Sequence, residues 1–90
     1  MNKAELIDAV ASAADIEKST ATRAVQAVLD NIAAALKKND SVVLVGFGTF
    51  VVKERSARVG RNPKTGEEIK IPASKVPGFK PGKVFKDSLN

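Results

Sequence analysis

The sequence predicts an α+β fold: an N-terminal helical hairpin, a three-stranded antiparallel sheet with a long protruding β-ribbon arm, and a short C-terminal helix. Apolar residues recur at helical spacing in the first part of the chain, and β-branched residues cluster from residue 41 onward. A basic segment with almost no core-forming side chains then occupies about residues 55–75. The chain has 90 residues, so residues 1–90 have the length of a single domain.

Two helices are predicted within residues 1–40. The first runs from Lys3 to about Ala14, and Asn2 with Glu5 three positions later matches a capping box. A break at residues 15–17 separates it from a longer helix that ends at two lysines, whose charges suit the negative end of the helix dipole. The apolar stripes consist of Leu6, Ile7, Val10, Ala11 and Ala14, then Ala21, Val25, Val28, Leu29, Ile32, Ala33 and Leu36.

The sheet and the arm are predicted within residues 41–80. A β-branched strand at 41–45, a turn at 46–48 and a second strand at 49–53 make a β-hairpin. The basic segment that follows is extended, projects into solvent and returns antiparallel after a tip at residues 62–66. The chain therefore predicts a two-stranded arm.

The last part of the chain is predicted to leave the arm and form a short helix. Pro77-Gly78 is expected to break the extended segment, because proline and glycine interrupt regular structure. Residues 81–90 then hold a helix from Lys83 to Leu89.

The apolar content predicts a dimer. Without the arm, roughly 70 residues remain to build a core, and a core of that size rarely supplies more than about 3–5 kcal/mol. The helices and the first hairpin offer more apolar surface than one small subunit can cover, and the strand at 41–45 would leave an exposed edge. Residues 1–40 are therefore predicted to be a helical dimerisation base.

Composition and charge exclude most enzyme classes and indicate a polyanionic partner. The chain has no Cys and no His, which removes disulfides, thiol nucleophiles, catalytic imidazoles and His-ligated metals. The sequence thus predicts no catalysis, no cofactor and no metal. Its net charge of +5 is uneven: residues 46–90 carry 10 basic and 4 acidic side chains, whereas residues 1–45 carry 5 and 6. The partner is therefore expected on the C-terminal half.

We expect the protein to be intracellular and without a membrane partner. Glu5 and Asp8 interrupt the region where a secretory signal would be apolar, and the longest apolar run, residues 42–45, is far too short to span a bilayer.

A helix-turn-helix with its second helix in the major groove is an alternative use of the helical hairpin. Past the first turn of that helix, however, Arg23 is the only basic side chain before its C-terminal lysines. Such a helix would neutralise almost no phosphate charge. A dimerisation role is favoured.

The arm carries the functional signal. Gly60 and Asn62-Pro63 oppose a helix, so on a ribbon its arginines must alternate sides or be realigned by twist or a bulge, and both faces would then be cationic. If the polyanion is a nucleic acid, the aromatic content favours a duplex. The bases of single strands stack on exposed aromatic side chains, and the chain has no Tyr and no Trp. The alternative without a binding function is a charged hairpin that is simply solvated. In that case Pro63 would only shape the turn at the tip. The charged residues of this segment are Arg55, Arg58, Arg61, Lys64, Lys70 and Lys75, against Glu67 and Glu68.

The motifs Gly46-Phe47-Gly48-Thr49-Phe50 and Gly60-Arg61-Asn62-Pro63-Lys64-Thr65-Gly66 resemble the signature of the bacterial histone-like DNA-binding proteins, HU and its relative integration host factor. The resemblance covers essentially the whole chain, and Pro81 is one local departure from it. It implies an intertwined dimer with a helical base, a β-saddle and two arms that embrace duplex DNA through the minor groove. It also implies a nucleoid protein of the bacterial cytoplasm that bends and compacts DNA with little sequence preference.

The resemblance also implies the functional residues. Pro63 matches a tip proline that intercalates between base pairs. Lys53 and Lys75 are added as basic residues that border the arm. The full set of candidate DNA-binding residues is then Lys3, Lys53, Arg55, Arg58, Arg61, Asn62, Pro63, Lys64, Lys70, Lys75, Lys80, Lys83 and Lys86.

Several alternatives stay open at this point. One is a sequence-preferring DNA-bending factor of the integration host factor type, and another is a structural dimer whose basic arms bind RNA. The partner chain is either identical or a paralogue. The sequence also leaves open a preference for nicked, gapped or bent DNA, and the genomic processes served.

Overall fold

The computed structural model describes the whole chain, residues 1–90, which forms two compact units, Met1–Ala34 and Ala35–Asn90. Three helices and five strands follow one another along the chain. They are α1 (Lys3–Ala14), α2 (Lys18–Lys37), β1 (Val42–Leu44), β2 (Gly48–Arg55), β3 (Arg58–Arg61), β4 (Glu68–Ile71), β5 (Ser74–Pro81) and α3 (Lys83–Ser88). A membrane-spanning segment needs a length and an apolar character that none of the three helices combines.

The first unit contains α1 and most of α2, and it confirms the predicted helical hairpin. The Asn2 side chain accepts a hydrogen bond from the Glu5 backbone N–H at 2.9 Å, and the Glu5 carboxylate accepts one in return from the Asn2 N–H. Asp15 then ends α1 in the left-handed conformation, with φ of 54°. The predicted capping box and helix boundaries are therefore confirmed.

The core of this unit is very small. Only Ile7, Ala21 and Val25 are buried hydrophobic residues anywhere in the chain. Val28 and Leu29, which belong to the same apolar stripe of α2, are 58% and 44% exposed. They line an open, apolar groove of about 290 Å³ together with Leu6, Val10, Ala24 and Val25.

The second unit is built on two separate antiparallel sheets. Strands β1, β2 and β5 form a three-stranded sheet in the order β1-β2-β5, and β3 and β4 form a two-stranded ribbon. Two short segments, residues 56–57 and 72–73, connect the sheet to this ribbon, and neither belongs to a strand. The ribbon and its tip, residues 58–71, form the arm, which lies within the predicted segment of about residues 55–75 because residues 55, 74 and 75 pair in the three-stranded sheet.

One face of the three-stranded sheet is aromatic. Phe50 and Phe79 are directly paired across β2 and β5, and their ring centroids lie 4.9 Å apart. The Phe79 ring lies over Gly48, where any Cβ would overlap it. Phe85 of α3 and Phe47 complete the cluster, with ring centroids 4.7 Å apart. This aromatic face fixes α3 to the sheet.

The prediction that Pro77-Gly78 breaks the extended segment is wrong. Both residues lie inside β5, where Pro77 pairs with Val52 and Gly78 with Val51. Because β5 is an edge strand, the nitrogen of Pro77 can point away from β2 without removing a ladder hydrogen bond. The terminal helix, predicted from Lys83, begins there.

Candidate nucleic-acid interface

The register of the arm divides its cations between two faces. Arg58 pairs with Ile71 and Gly60 with Ile69, whereas Val59 pairs with Lys70 and Arg61 with Glu68. Directly paired residues share a face of a ribbon, and neighbours along a strand alternate. The first face therefore carries Arg58 beside two isoleucines, and the second carries Arg61 and Lys70 beside one carboxylate.

The isoleucine face of the arm, which carries Arg58, Gly60, Ile69 and Ile71, has a glycine at its centre. A Cβ at Gly60 would lie 3.1 Å from Cδ1 of Ile71, so the Ile71 side chain lies across the glycine. Ile69, Ile71 and Val59 are all exposed, although each is a large hydrophobic residue. The arm thus presents apolar and cationic surface together and has no core of its own.

The tip is a closed turn that presents Pro63. The Asn62 N–H donates to the Glu67 carbonyl at 2.8 Å, and the Gly66 N–H donates to the Asn62 carbonyl at 2.7 Å. Gly66 has a φ of +75°, a conformation that favours glycine. Pro63 and Lys64 are exposed and Asn62 is half-buried.

The sheet has a cationic face opposite its aromatic face. The register places Lys53 and Arg55 of β2 on one face with Lys80 of β5. The Lys53 stem passes over Gly78, where a Cβ would lie 3.4 Å from Cε of Lys53. Lys75 pairs with Glu54, on the opposite face, so the structure separates Lys75 from the other three cations.

The remaining candidate residues lie outside the strands. Lys83 and Lys86 are exposed and three residues apart on α3, so they lie on neighbouring positions of one helix face. Lys3 belongs to the other unit, where its ammonium group donates a hydrogen bond to the Gln26 side chain. Gln26 in turn donates to Asp30 at 2.8 Å. Lys3 is thus the one candidate lysine already engaged by a side chain.

The cations of the second unit are free of ion pairs. The chain contains a single salt bridge, between Lys18 and Asp8 at 3.2 Å, and both partners belong to the helices. Every candidate cation from Lys53 to Lys86 is exposed. These ten positive charges are therefore available to a polyanion.

Sequence reasoning missed three contributions to this surface. Gly78 supports the Lys53 stem, Glu68 shares a face with Arg61, and the Asn62 side chain holds the tip. Period-two counting along paired strands could have found the first two. The expected break at residue 78 concealed the pairing of β5 with β2, and the face that Glu68 shares with Arg61 depends on the register of the β3–β4 ribbon. No group of three or more His, Cys, Asp and Glu side chains is placed to hold a metal ion.

A small basic protein whose charge lies on a β-ribbon and an adjoining sheet face belongs to the class of β-ribbon nucleic-acid-binding proteins. The profile of the family described as bacterial DNA-binding protein matches residues 1–90. The chain belongs to this family.

Named relatives agree over the full chain. DNA-binding protein HU-beta of Pseudomonas aeruginosa is 64% identical over 90 residues and covers 100% of both chains. DNA-binding protein HU 1 of Bacillus subtilis is 63% identical over 89 residues, which are 99% of this chain and 97% of that one. Among solved structures, an Anabaena HU–DNA cocrystal structure has a TM-score of 0.87 and 49% identity, and the match covers 99% of this chain and 97% of that chain. HU from Thermotoga maritima has a TM-score of 0.73 and 34% identity, with both chains covered completely.

Proposed function

We propose that this protein is an architectural DNA-binding protein of the HU type, which binds the minor groove of duplex DNA through its arms and bends and compacts the DNA with little sequence preference. The observation that carries the proposal is the arm itself, with unpaired cations on both faces and an exposed proline at its tip. The likeness to the Anabaena HU–DNA cocrystal structure supports the choice of duplex DNA. No step of this function requires catalysis or a cofactor.

Affinity comes from counterion release at the cationic surfaces. Arg58, Arg61 and Lys70 contact the groove and its phosphates along the arm, and the sheet face of Lys53, Arg55 and Lys80 meets the duplex between arms. Each phosphate neutralised adds about 0.9 to the magnitude of the salt slope of binding.

Lys83 and Lys86 of α3, with Lys3, hold the flanking DNA once it is bent. Lys64 adds charge beside the tip. Lys75 faces the other way and contributes least.

Pro63 acts as the wedge that bends the duplex. Its ring is apolar and has no N–H to leave unsatisfied between base pairs, and its fixed φ keeps the tip rigid. Smooth bending of a site by 40–90° costs about 1–6 kcal/mol. A wedge that opens one base step lowers this cost by concentrating the bend in a kink.

The working unit is a dimer with two arms. The apolar groove on the first unit is the surface that a second copy covers, since three buried residues alone make a very small core. We propose a homodimer that acts in the nucleoid of the bacterial cytoplasm. A paralogous partner chain would use the same groove.

The test combines competition with a bend measurement. A duplex labelled at both ends should show increased energy transfer on binding, and random-sequence duplex should compete as well as any single site. Structured RNA of equal length should compete more weakly. Equal competition by RNA, or binding without a change in energy transfer, would contradict the proposal. Pro63→Ala should keep the salt slope but reduce the bend.

A further inference from the structure

The Asn62 side chain closes a turn around Pro63. Its Oδ1 accepts a hydrogen bond from the Lys64 backbone N–H at 2.9 Å, so the bond spans the proline that lies between them. Together with the two backbone bonds of Asn62, to Glu67 and from Gly66, it makes Asn62 a partner in three hydrogen bonds at the tip. No other residue of the tip has as many.

These bonds determine how the proline ring is presented. Proline fixes its own φ, but the direction of the ring still depends on the residue before it and on the following peptide. A side-chain oxygen that bonds to the N–H two residues on imitates a backbone turn and restrains both. Asn62 is half-buried at the base of the turn, whereas Pro63 is exposed. The side chain that supports the turn therefore differs from the one presented to DNA.

We propose that Asn62 is a positioning residue for the wedge, and that its effect on DNA bending passes through Pro63. This inference rests on the proposed role of Pro63. Oδ1 accepts the hydrogen bond from the Lys64 N–H, so Asn62 holds the tip in its turn before DNA binds. A direct contact of Nδ2 with an acceptor on the groove floor is the competing role.

A double-mutant cycle separates the two roles. The variants are Asn62→Ala, Pro63→Ala and the double variant, each compared by energy transfer across an end-labelled duplex and by the preference for nicked over intact duplex. Asn62→Ala should reduce that preference by roughly two- to tenfold, the effect of one ordinary hydrogen bond. In the Pro63→Ala background the same change should have no further effect on bend or preference. If Asn62→Ala reduced the bend and the preference equally in the unmodified protein and in Pro63→Ala, the inference would be overturned in favour of direct contact.

Two further variants make the result specific to the turn. Asn62→Ser keeps a shorter acceptor that can form the same kind of turn, and should restore part of the bend. Thr65→Ala is the matched control, since it removes the Oγ1 acceptor of the Glu67 N–H, a tip bond that does not enclose Pro63. It should leave the bend unchanged. A loss with Thr65→Ala equal to that with Asn62→Ala would overturn the inference.

Amide exchange without DNA gives a readout independent of binding. The Lys64 N–H should exchange faster in Asn62→Ala than in the unmodified protein, and Asn62→Ser should fall between them. An unchanged Lys64 exchange rate would overturn the inference even if DNA bending fell. If Pro63→Ala itself leaves the bend intact, the wedge proposal fails first, and that failure is visible without any Asn62 variant.

Discussion

Arg61 and Glu68 are paired directly across the arm ribbon, so a cation and a carboxylate share the face that also carries Lys70. Neither Arg61 nor Glu68 takes part in a salt bridge. A carboxylate on this face repels the phosphates that the two cations attract. Glu68 should therefore limit the affinity of the arm for duplex DNA.

Replacing that carboxylate should tighten binding. Glu68→Gln should increase affinity for every duplex by about two- to fivefold at low salt, the range of a solvent-exposed charge interaction. Glu54→Gln is the control, because it changes the net charge equally. Glu54 lies on the aromatic face of the sheet, where it pairs with Lys75. Titration of both variants against one labelled duplex compares them. Equal gains would mean that only net charge matters and that the Arg61–Glu68 pairing is irrelevant.

The apolar groove of the helices should be a dimer interface. Val28→Asp would place a charge where a second copy is proposed to pack, at a cost of at least about 2 kcal/mol per chain. The melting temperature of the unmodified protein should rise with protein concentration, and the variant should sediment as a monomer or unfold. Val45→Asp is the control, because Val45 is 97% exposed in the turn before β2. A stable, folded monomer of the unmodified protein at micromolar concentration would refute the dimer.

The helices and the course of the chain were predictable because their signals are local. The Asn2–Glu5 capping box and the apolar stripes depend only on spacing within a helix, and both ends of α1 were found. The tip was equally local, because Asn62-Pro63 and Gly66 are typical turn residues. For such elements the sequence alone was sufficient.

The features that were missed depend on which strands are neighbours. Pro77-Gly78 is a break by local rules, and only the edge position of β5 makes it compatible with a strand. The separation of Lys75 from Lys53 follows from the same register, since both look like members of one basic segment until their partners in the ladder are known. A one-residue shift in this pairing would have placed Lys75 on the same face as Lys53.

The two faces of the sheet should differ in DNA binding. Lys53→Ala should weaken binding to all sequences and reduce the magnitude of the salt slope by about 1, because one phosphate contact is lost. Lys75→Ala removes the same charge from the opposite face, so it should change the slope much less. Both should be measured from 50 mM to 200 mM salt on one duplex. Equal changes in slope would mean that the duplex does not distinguish the faces.

The arm should be the least stable part of the second unit until DNA orders it. It has only four directly paired positions in its ladder, its apolar side chains are exposed, and the ladder stops at residues 56–57 and 72–73 before the sheet begins. Segments with few buried contacts open locally at low free energy. Amides in residues 58–61 and 68–71 should therefore exchange faster than those of the paired positions in β2.

Addition of duplex should protect the amides of the arm. Contact with the groove on both faces of the ribbon excludes water from its backbone, so exchange of the arm amides should slow, whereas amides of α2, in which no DNA contact is proposed, should change little. Hydrogen exchange with and without saturating duplex, followed residue by residue, measures both effects. If the arm already exchanged as slowly as β2 without DNA, it would be a preformed rigid clamp. In that case its ordering would not contribute an entropic cost to binding.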